Sequence, residues 1–263
     1  ADYIVPQIRA GKLEARIRDE KIPLEFGMIG QETTGIGGFT NALRTIPQIE
    51  RIARAIEKCA PEAWLVNFTN PSGIITEYLL NHTSVKAIGL CNLPIGTQER
   101  VAKLLGVPMD RVRLESVSLN HCGAITGVYV DGIDRLPSLL TPESLGEAAA
   151  ADPWVKNYRP IIELLGAIPN DYLQYFFYRD RKFQELLHAA QTRGEVCKDI
   201  ETRLLSYYAD LRNVSVPSML AERGGHLYSE AAIALIASLS GAAPGHHVID
   251  VQNNGTLPFL SDA

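Results

Sequence analysis

The chain lacks every cysteine spacing that would staple a small secreted domain. Its four cysteines, Cys59, Cys91, Cys122 and Cys197, include no CxxC pair and suggest no disulfide framework, which favours a reducing compartment. Basic clusters are missing too. Lys and Arg total 25 against 30 Asp and Glu, giving a net charge of −5 and a pI near 5.7, which argues against a nucleic-acid surface. Arg179, Arg181 and Lys182 form only a short basic spot. No apolar run is long enough to span a bilayer and no signal peptide is visible, so neither membrane insertion nor export is expected. There is no internal repeat and no low-complexity tract. Standard phosphate loops are absent: no GxxxxGK[ST] occurs, and the Gly35-Ile36-Gly37-Gly38 run is not a dinucleotide fingerprint. No convincing pair of catalytic carboxylates stands out. The chain also lacks an initial Met and opens at Ala1 in a strand-like segment, so it reads as a piece of a longer protein.

What is present is a well-filled α/β sequence. Its 263 residues, 46% hydrophobic, suffice for one large or two ordinary domains with a sizeable core. Tyr3 to Val5, Trp64 to Phe68 and Val85 to Leu90 read as strands. Between them Ile49, Ile52, Ala53 and Ile56 recur at helical spacing, and Ser72 to Leu80 is helical. This alternation predicts βαβ units and a parallel sheet. Pro94 to Leu105 is a helix stopped by Gly106. Val112 to Leu119 and Ala124 to Val130 read as longer alternating strands. From Pro137 onward the chain is mainly helical, over Trp154 to Leu165, Tyr172 to Ala190, Glu195 to Leu211 and Ser229 to Ser238. Gly146 to Ala151 reads as a small-residue surface segment.

Several residues could carry chemistry, each with an ordinary alternative. Cys91 ends a strand, where open α/β sheets bind ligands, and is either a small core residue or a metal ligand. His121, in Leu119-Asn120-His121-Cys122-Gly123, could join it, since thiolate and imidazole both suit a borderline divalent metal; a buried, hydrogen-bonded His explains it as well. Asn70, between a strand and a helix, could address a ligand or cap the helix. The loop Gly30 to Gly38 could let backbone approach a cofactor or sugar, or be merely flexible. Phe176, Phe177, Phe183, Leu186 and Leu187 fit one helix face and are expected to be core. Tyr172, at the start of that helix, could face a site as a base or simply pack. Arg16 and Arg193 would each suit a phosphate or carboxylate, and each is also an ordinary surface arginine. Glu222-Arg223-Gly224-Gly225-His226 is a backbone site for a ligand or a tight turn.

The order of these motifs is more telling than any one of them. QIRAGKLEARIRDEKIPLEFGMIGQETTG, ALRTIP, NFTNPSGI, GLCNLPIG, LNHCG, PNDYLQYFFY and ERGGHLYSEAA together resemble glycoside hydrolase family 4, the NAD- and manganese-dependent glycosidases, over essentially the whole chain. This family departs from the two-carboxylate scheme of most glycosidases. The resemblance implies a partial Rossmann-like parallel sheet over residues 1–112, its N-terminal strands missing, followed by an α+β, mainly helical substrate domain over 113–263. It implies that Cys91 and His121 bind Mn²⁺, that Tyr172 removes the proton from C2 of the sugar, and that Glu32 sits near Tyr172 and raises its basicity. Arg16, Asn70 and Arg193 would contact the substrate. Asn92, directly after the metal cysteine, resembles the 6-phospho-β-glucosidase branch. The implied reaction is oxidation at C3 by NAD⁺, C2 deprotonation, elimination of the C1 leaving group, addition of water and return of the hydride, with the metal acting as a Lewis acid.

Family members carry a strand and a GxGS turn for the NAD pyrophosphate, and nothing here matches it. Roughly 80 residues, a βαβαβ half, are therefore expected upstream, and the NAD-binding residues are unknown from this chain. A C-terminal segment is also expected beyond Phe259. The resemblance further implies a phosphorylated disaccharide or β-glucoside as substrate, a cytoplasmic location and a homo-oligomer, dimer or tetramer. Competing readings are another family specificity, 6-phospho-α-glucosidase or α-galactosidase, a lactate/malate-type dehydrogenase, and an inactive fragment.

Overall fold

The computed structural model describes residues 1–225 and 227–258. His226, singled out in the Glu222-to-His226 motif, and Phe259 lie outside the described residues. In chain order the elements are β1 (Tyr3–Ile4), α1 (Lys12–Glu25), α2 (Gly35–Cys59), β2 (Trp64–Asn67), α3 (Ser72–His82) and β3 (Lys86–Gly89). Then come α4 (Leu93–Leu105), β4 (Val112–Leu119), β5 (Cys122–Val130), β6 (Ile133–Asp134), α5 (Leu136–Leu139), α6 (Pro142–Ala151) and α7 (Pro153–Leu165). The rest are β7 (Ile168–Pro169), a 3₁₀ turn (Asp171–Leu173), α8 (Gln174–Phe177), α9 (Arg179–Leu187), α10 (Arg193–Ala209), α11 (Met219–Arg223) and α12 (Tyr228–Leu239). The chain forms two compact units, one of residues 1–90, 180–232 and 249–263, the other of residues 91–179 and 233–248. Among the described residues no helix is long and apolar enough to cross a membrane.

The first unit holds the parallel sheet; unlike the 1–112 span of the expectation, its first segment ends at Leu90 and the unit takes in α10 and α11. β1, β2 and β3 pair in parallel, with Tyr3 opposite Trp64 and Leu65 opposite Ala87. Parallel strands need a crossover, and α3 supplies the one between β2 and β3. Its Ile75 and Leu79, with Ile49, Ala53 and Ile56 of α2, bury the sheet face formed by Leu65 and Ala87. α2 starts earlier than the apolar periodicity alone indicates, because the glycines of the Gly30-to-Gly38 loop are close-packing residues. A Cβ on Gly30 would stand 1.7 Å from the Glu20 carbonyl oxygen, so the loop folds onto α1 only with glycine there. That close approach is to protein backbone, and Gly37 and Gly38 lie within α2.

The second unit is α+β. β4 and β5 form an antiparallel hairpin with a bulge between Glu115 and Ser116, extended by β6 and β7 on β5. α4 has Pro94 in its first turn and ends at Gly106 in the left-handed region (φ 66°), as its start and stop signals predict. Two expectations fail here. Gly146 to Ala151 belongs to α6, whose Leu145 is buried against α7. The helix expected over Tyr172 to Ala190 is three pieces, broken at Tyr178, whose hydroxyl is tied to the Asn157 carbonyl at 2.9 Å. The break splits the apolar face: Phe177 packs with Tyr158 and Ile162, whereas Phe176 is 76% and Leu187 46% exposed.

Candidate functional site

In the second unit the structure brings Cys91, His121 and Tyr172 together. Cys91 stands just before α4, and the Leu93 N–H points at its sulfur at 3.5 Å. Asn92 is the residue before the first turn of α4, and its carbonyl accepts the Gly96 N–H at 3.0 Å. His121 is in the two-residue turn of the β4–β5 hairpin, buried, with φ of 61°. A non-glycine residue in the left-handed region costs about 1–2 kcal/mol, and such strain collects at functional positions. The turn aims His121 Nε2 at Cys91 Sγ, 3.4 Å away.

Tyr172 reaches the same place from β7. Pro169 pairs with Ala124, the Asn170 N–H donates to the Gly123 carbonyl at 2.9 Å, and the Asn170 side chain caps the Tyr172 N–H at 2.9 Å. The Tyr172 ring then stacks on the His121 imidazole, centroids 3.9 Å apart and planes within 9°. Behind it, Asp171 accepts the Trp154 indole N–H at 2.6 Å and lies 3.7 Å from Arg100, while the Tyr158 hydroxyl donates to its carbonyl. Burial pushes the Asp171 carboxyl above the ordinary range, with Arg100 and the indole N–H opposing.

The sulfur and nitrogen fit a shared divalent ion. Cys91 Sγ and His121 Nε2, 3.4 Å apart, are close enough for one ion to reach both, and thiolate and imidazole are both donors a borderline divalent ion accepts. Among the described residues no third Cys, His, Asp or Glu completes a cluster, so the protein donor set here is two. That is an open site, the arrangement a metal needs if substrate oxygens are to bind it. No segment of the chain offers a dinucleotide fingerprint.

The remaining predicted residues, apart from Asn92, belong to the first unit. Arg16 of α1 is buried between two carboxylates: its Nε donates to Glu20 at 2.7 Å and its Nη1 is 3.0 Å from Glu32. Burial alone would lower its pKa, but Glu32 and Glu20 outweigh it and the net direction is upward. Glu32 is also held by Arg9 at 2.5 Å. Asn41 donates to the carbonyls of both Glu32 and Asn70, at 3.2 and 3.4 Å. Asn70 is not a helix cap; Pro71 occupies the cap position of α3, and Asn67 braces the turn through Thr69, Ser72 and Thr76. Arg193 begins α10 and donates to the Glu222 carbonyl at 2.7 Å. The next residue, Gly194, gives its N–H to Glu20 at 2.6 Å, and a Cβ there would meet Glu20, Ile17 and Arg16 within 3.3 Å.

Sequence reasoning missed Glu20, Arg9 and Asn41. Glu20 had a signal, since Arg16 and Glu20 are a helical i, i+4 pair of opposite charge. Arg9 and Asn41 had none, because their partners are distant in sequence.

The family 4 glycosyl hydrolase profile matches residues 1–107, and the family 4 glycosyl hydrolase C-terminal domain profile matches residues 117–263. A probable 6-phospho-beta-glucosidase of Bacillus subtilis (strain 168) is 40% identical over 100% of this chain and 61% of its own length. A 6-phospho-beta-glucosidase of Escherichia coli (strain K12) is 34% identical, covering 98% of this chain and 59% of its own. The structure of the Thermotoga maritima 6-phospho-beta glucosidase with manganese, NAD⁺ and glucose-6-phosphate superposes with a TM-score of 0.85 at 34% identity, covering 100% of this chain and 62% of that one. The chain thus spans about three fifths of the length of these curated relatives. With both profiles matched in order and nearly end to end, the chain belongs to the family 4 glycosyl hydrolases.

Proposed function

We propose that the protein containing this chain hydrolyses 6-phospho-β-glucosides with the help of NAD⁺ and Mn²⁺. The observation that carries this reading is the Cys91–His121 pair at 3.4 Å with Tyr172 stacked on it, in a chain whose relatives are named for that activity. Cys91 Sγ and His121 Nε2 would hold the metal, and Mn²⁺ there would supply Lewis acidity and positive charge beside Tyr172. NAD⁺, held by a part of the protein outside this chain, would supply redox chemistry at C3 of the sugar. Tyr172, as the phenolate, takes the C2 proton and becomes the phenol; a phenolate forms near neutral pH only beside positive charge. Glu32 supports that basicity, and Asn92 next to Cys91 sets the substrate branch. Asn70 and Arg16 contact the sugar. Because Arg16 Nε and Nη1 are committed to Glu20 and Glu32, its contact falls to Nη2. Exposed Arg193 takes the 6-phosphate. The same reading carries a cytoplasmic location, where sugars phosphorylated during uptake accumulate, and a homo-oligomeric assembly.

The test is release of aglycone by the intact gene product. Turnover of a 6-phospho-β-glucoside that requires both NAD⁺ and Mn²⁺, with little turnover of the α-anomer or the unphosphorylated glucoside, is the expected result. Equal turnover in EDTA without NAD⁺ would sink the proposal.

A further inference from the structure

Tyr172 sits at the end of a brace that no part of the proposed chemistry uses. Arg100, from α4, lies over the Trp154 ring at 4.4 Å, and Trp154 stacks on Tyr158 with centroids 4.5 Å apart and planes within 16°. Both rings then turn their polar ends to one residue. The indole N–H donates to the Asp171 carboxylate at 2.6 Å and the Tyr158 hydroxyl to the Asp171 carbonyl. Tyr158 is only 2% exposed, so an unmade hydrogen bond there is costly and the geometry is enforced. Asp152 completes the frame, capping the Trp154 N–H at 2.8 Å and lying 3.6 Å from Arg100.

We infer that Trp154 and Tyr158 are positioning residues for Tyr172, fixing through Asp171 the turn that keeps the Tyr172 ring stacked on His121. Asp171 has two handles, its carboxylate and the carbonyl of the peptide leading into Tyr172. Asn170 holds the other side of the turn through the Tyr172 N–H and the Gly123 carbonyl. With both ends held, the 3₁₀ turn has little freedom to roll, and the ring stays parallel to the imidazole. Arg100 adds a link to α4, the helix that begins beside Cys91. A base displaced by about 1 Å loses roughly a hundredfold in rate, so a brace of this kind acts on turnover and not only on stability. Its consequence for catalysis rests on the proposed role of Tyr172; its consequence for geometry does not.

The experiment uses the intact gene product without substrate or metal, labelled with ¹³C at histidine Cε1. The His121 signal is assigned by its loss in His121→Asn. A ring stacked face to face shields its neighbour, so the His121 proton lies upfield, and Tyr172→Leu defines its unstacked position. Trp154→Phe, which keeps an aromatic ring but removes the N–H and some bulk, and Tyr158→Phe, which removes only the O–H, are expected to move the signal towards the Tyr172→Leu position. Asp171→Asn, whose amide oxygen still accepts the indole N–H, is expected to leave it in place. In turnover of the phosphoglucoside, the two phenylalanine variants are expected to lose roughly tenfold or more in kcat with KM within about twofold of wild type. Two folded variants with the wild-type His121 signal, or with lowered melting temperature and unchanged kcat, would overturn the inference. If the wild-type protein turns over no phosphoglucoside, the proposed function fails while the NMR result still decides the brace.

Discussion

Replacing Glu20 by Ala gives the sharpest prediction for the first unit. Glu20 is buried, as is its partner, with side-chain exposures of 6% for Glu20 and 8% for Arg16. One carboxylate oxygen accepts Arg16 Nε at 2.7 Å and the other the Gly194 N–H at 2.6 Å. Removing one partner of a buried pair costs about 3–5 kcal/mol, because the remaining charge stays desolvated. Arg16 keeps Glu32 at 3.0 Å, which places its share at the low end. The Gly194 N–H, also buried, adds about 1–3 kcal/mol if nothing replaces its acceptor. These losses overlap, and about 4 kcal/mol is the expected total. At roughly 2–4 °C per kcal/mol the melting temperature falls by about 8–16 °C, and by less in a longer polypeptide. Glu20→Gln keeps the shape and one acceptor, so it should lose about half as much. The assay is urea unfolding followed by circular dichroism and fluorescence, for Glu20→Ala, Arg16→Met and the double variant. Because the two side chains touch, the double variant should cost at least about 1 kcal/mol less than the sum of the singles. A Glu20→Ala loss below about 1 kcal/mol, or strict additivity, would refute the view that Glu20 ties α1 to the start of α10.

Three further outcomes follow from the second unit. Cys91→Ser and His121→Asn should each weaken Mn²⁺ binding, read by titrating the free-ion EPR signal, by more than the roughly 10–100-fold that loss of an outer-shell partner costs; unchanged binding would remove the pair from the metal site. Tyr172→Phe keeps the ring stack and removes the hydroxyl, so kcat and solvent exchange of the C2 proton should fall together by roughly 10²–10⁴ while the His121 signal stays upfield. Asp171 carries a raised pKa, so the folded state holds its proton at pH values where the unfolded chain has released it. Stability therefore falls as pH rises from the ordinary aspartate range through the folded value, and Asp171→Asn should flatten that slope in pH-dependent melting. A variant with the same pH slope as wild type would show that burial of Asp171 is not the cause.

The parts of this protein that were legible in sequence are those written in local chemistry. Pro94 and Gly106 bracket α4 because a helix tolerates proline in its first turn and favours glycine after its last. The alternation from Val112 to Val130 marks the β4–β5 hairpin, although of its apolar side chains only Val112 of β4 and Ile125, Val128 and Val130 of β5 are buried and Val117 and Leu119 stay exposed. Cys91 and His121 are another matter. Their 30-residue separation carries no local signal, and the motif order, not spacing, pointed to them as a pair. What brings them to 3.4 Å is the hairpin turn and the packing of α4 on β4, both tertiary facts. The aromatic run from Tyr172 misled for a related reason. Its spacing fits one helix face, but Tyr178 is claimed by the Asn157 carbonyl and the helix stops, leaving Phe176 outside. Gly30 has a role no local signal shows: a Cβ there would meet the Glu20 carbonyl, whereas Gly35 in the same run has nothing within 4 Å.

The charges of the first unit also sort the two arginines that sequence reasoning treated alike. Arg9 and Arg16 face Glu20 and Glu32, two positive and two negative groups within hydrogen-bonding reach, and the four sum to zero. A sugar phosphate approaching Arg16 would find its charge already spent on carboxylates. Arg193 differs, because the partner of its Nη2 is the neutral carbonyl of Glu222. It is exposed and starts a helix, where the backbone adds about half a positive charge. Glu195 in the same turn and the Glu20 carboxylate on the Gly194 N–H offset this backbone charge, so the positive charge left is that of the Arg193 guanidinium. In the proposed function this favours Arg193 for the dianionic group and the buried Arg16, through Nη2, for neutral hydroxyls. The Glu20 carboxylate, bonded to Arg16 and to the residue after Arg193, sets the separation of the two. A substitution that spares both arginines but moves Glu20 therefore acts on their spacing before it acts on their charge.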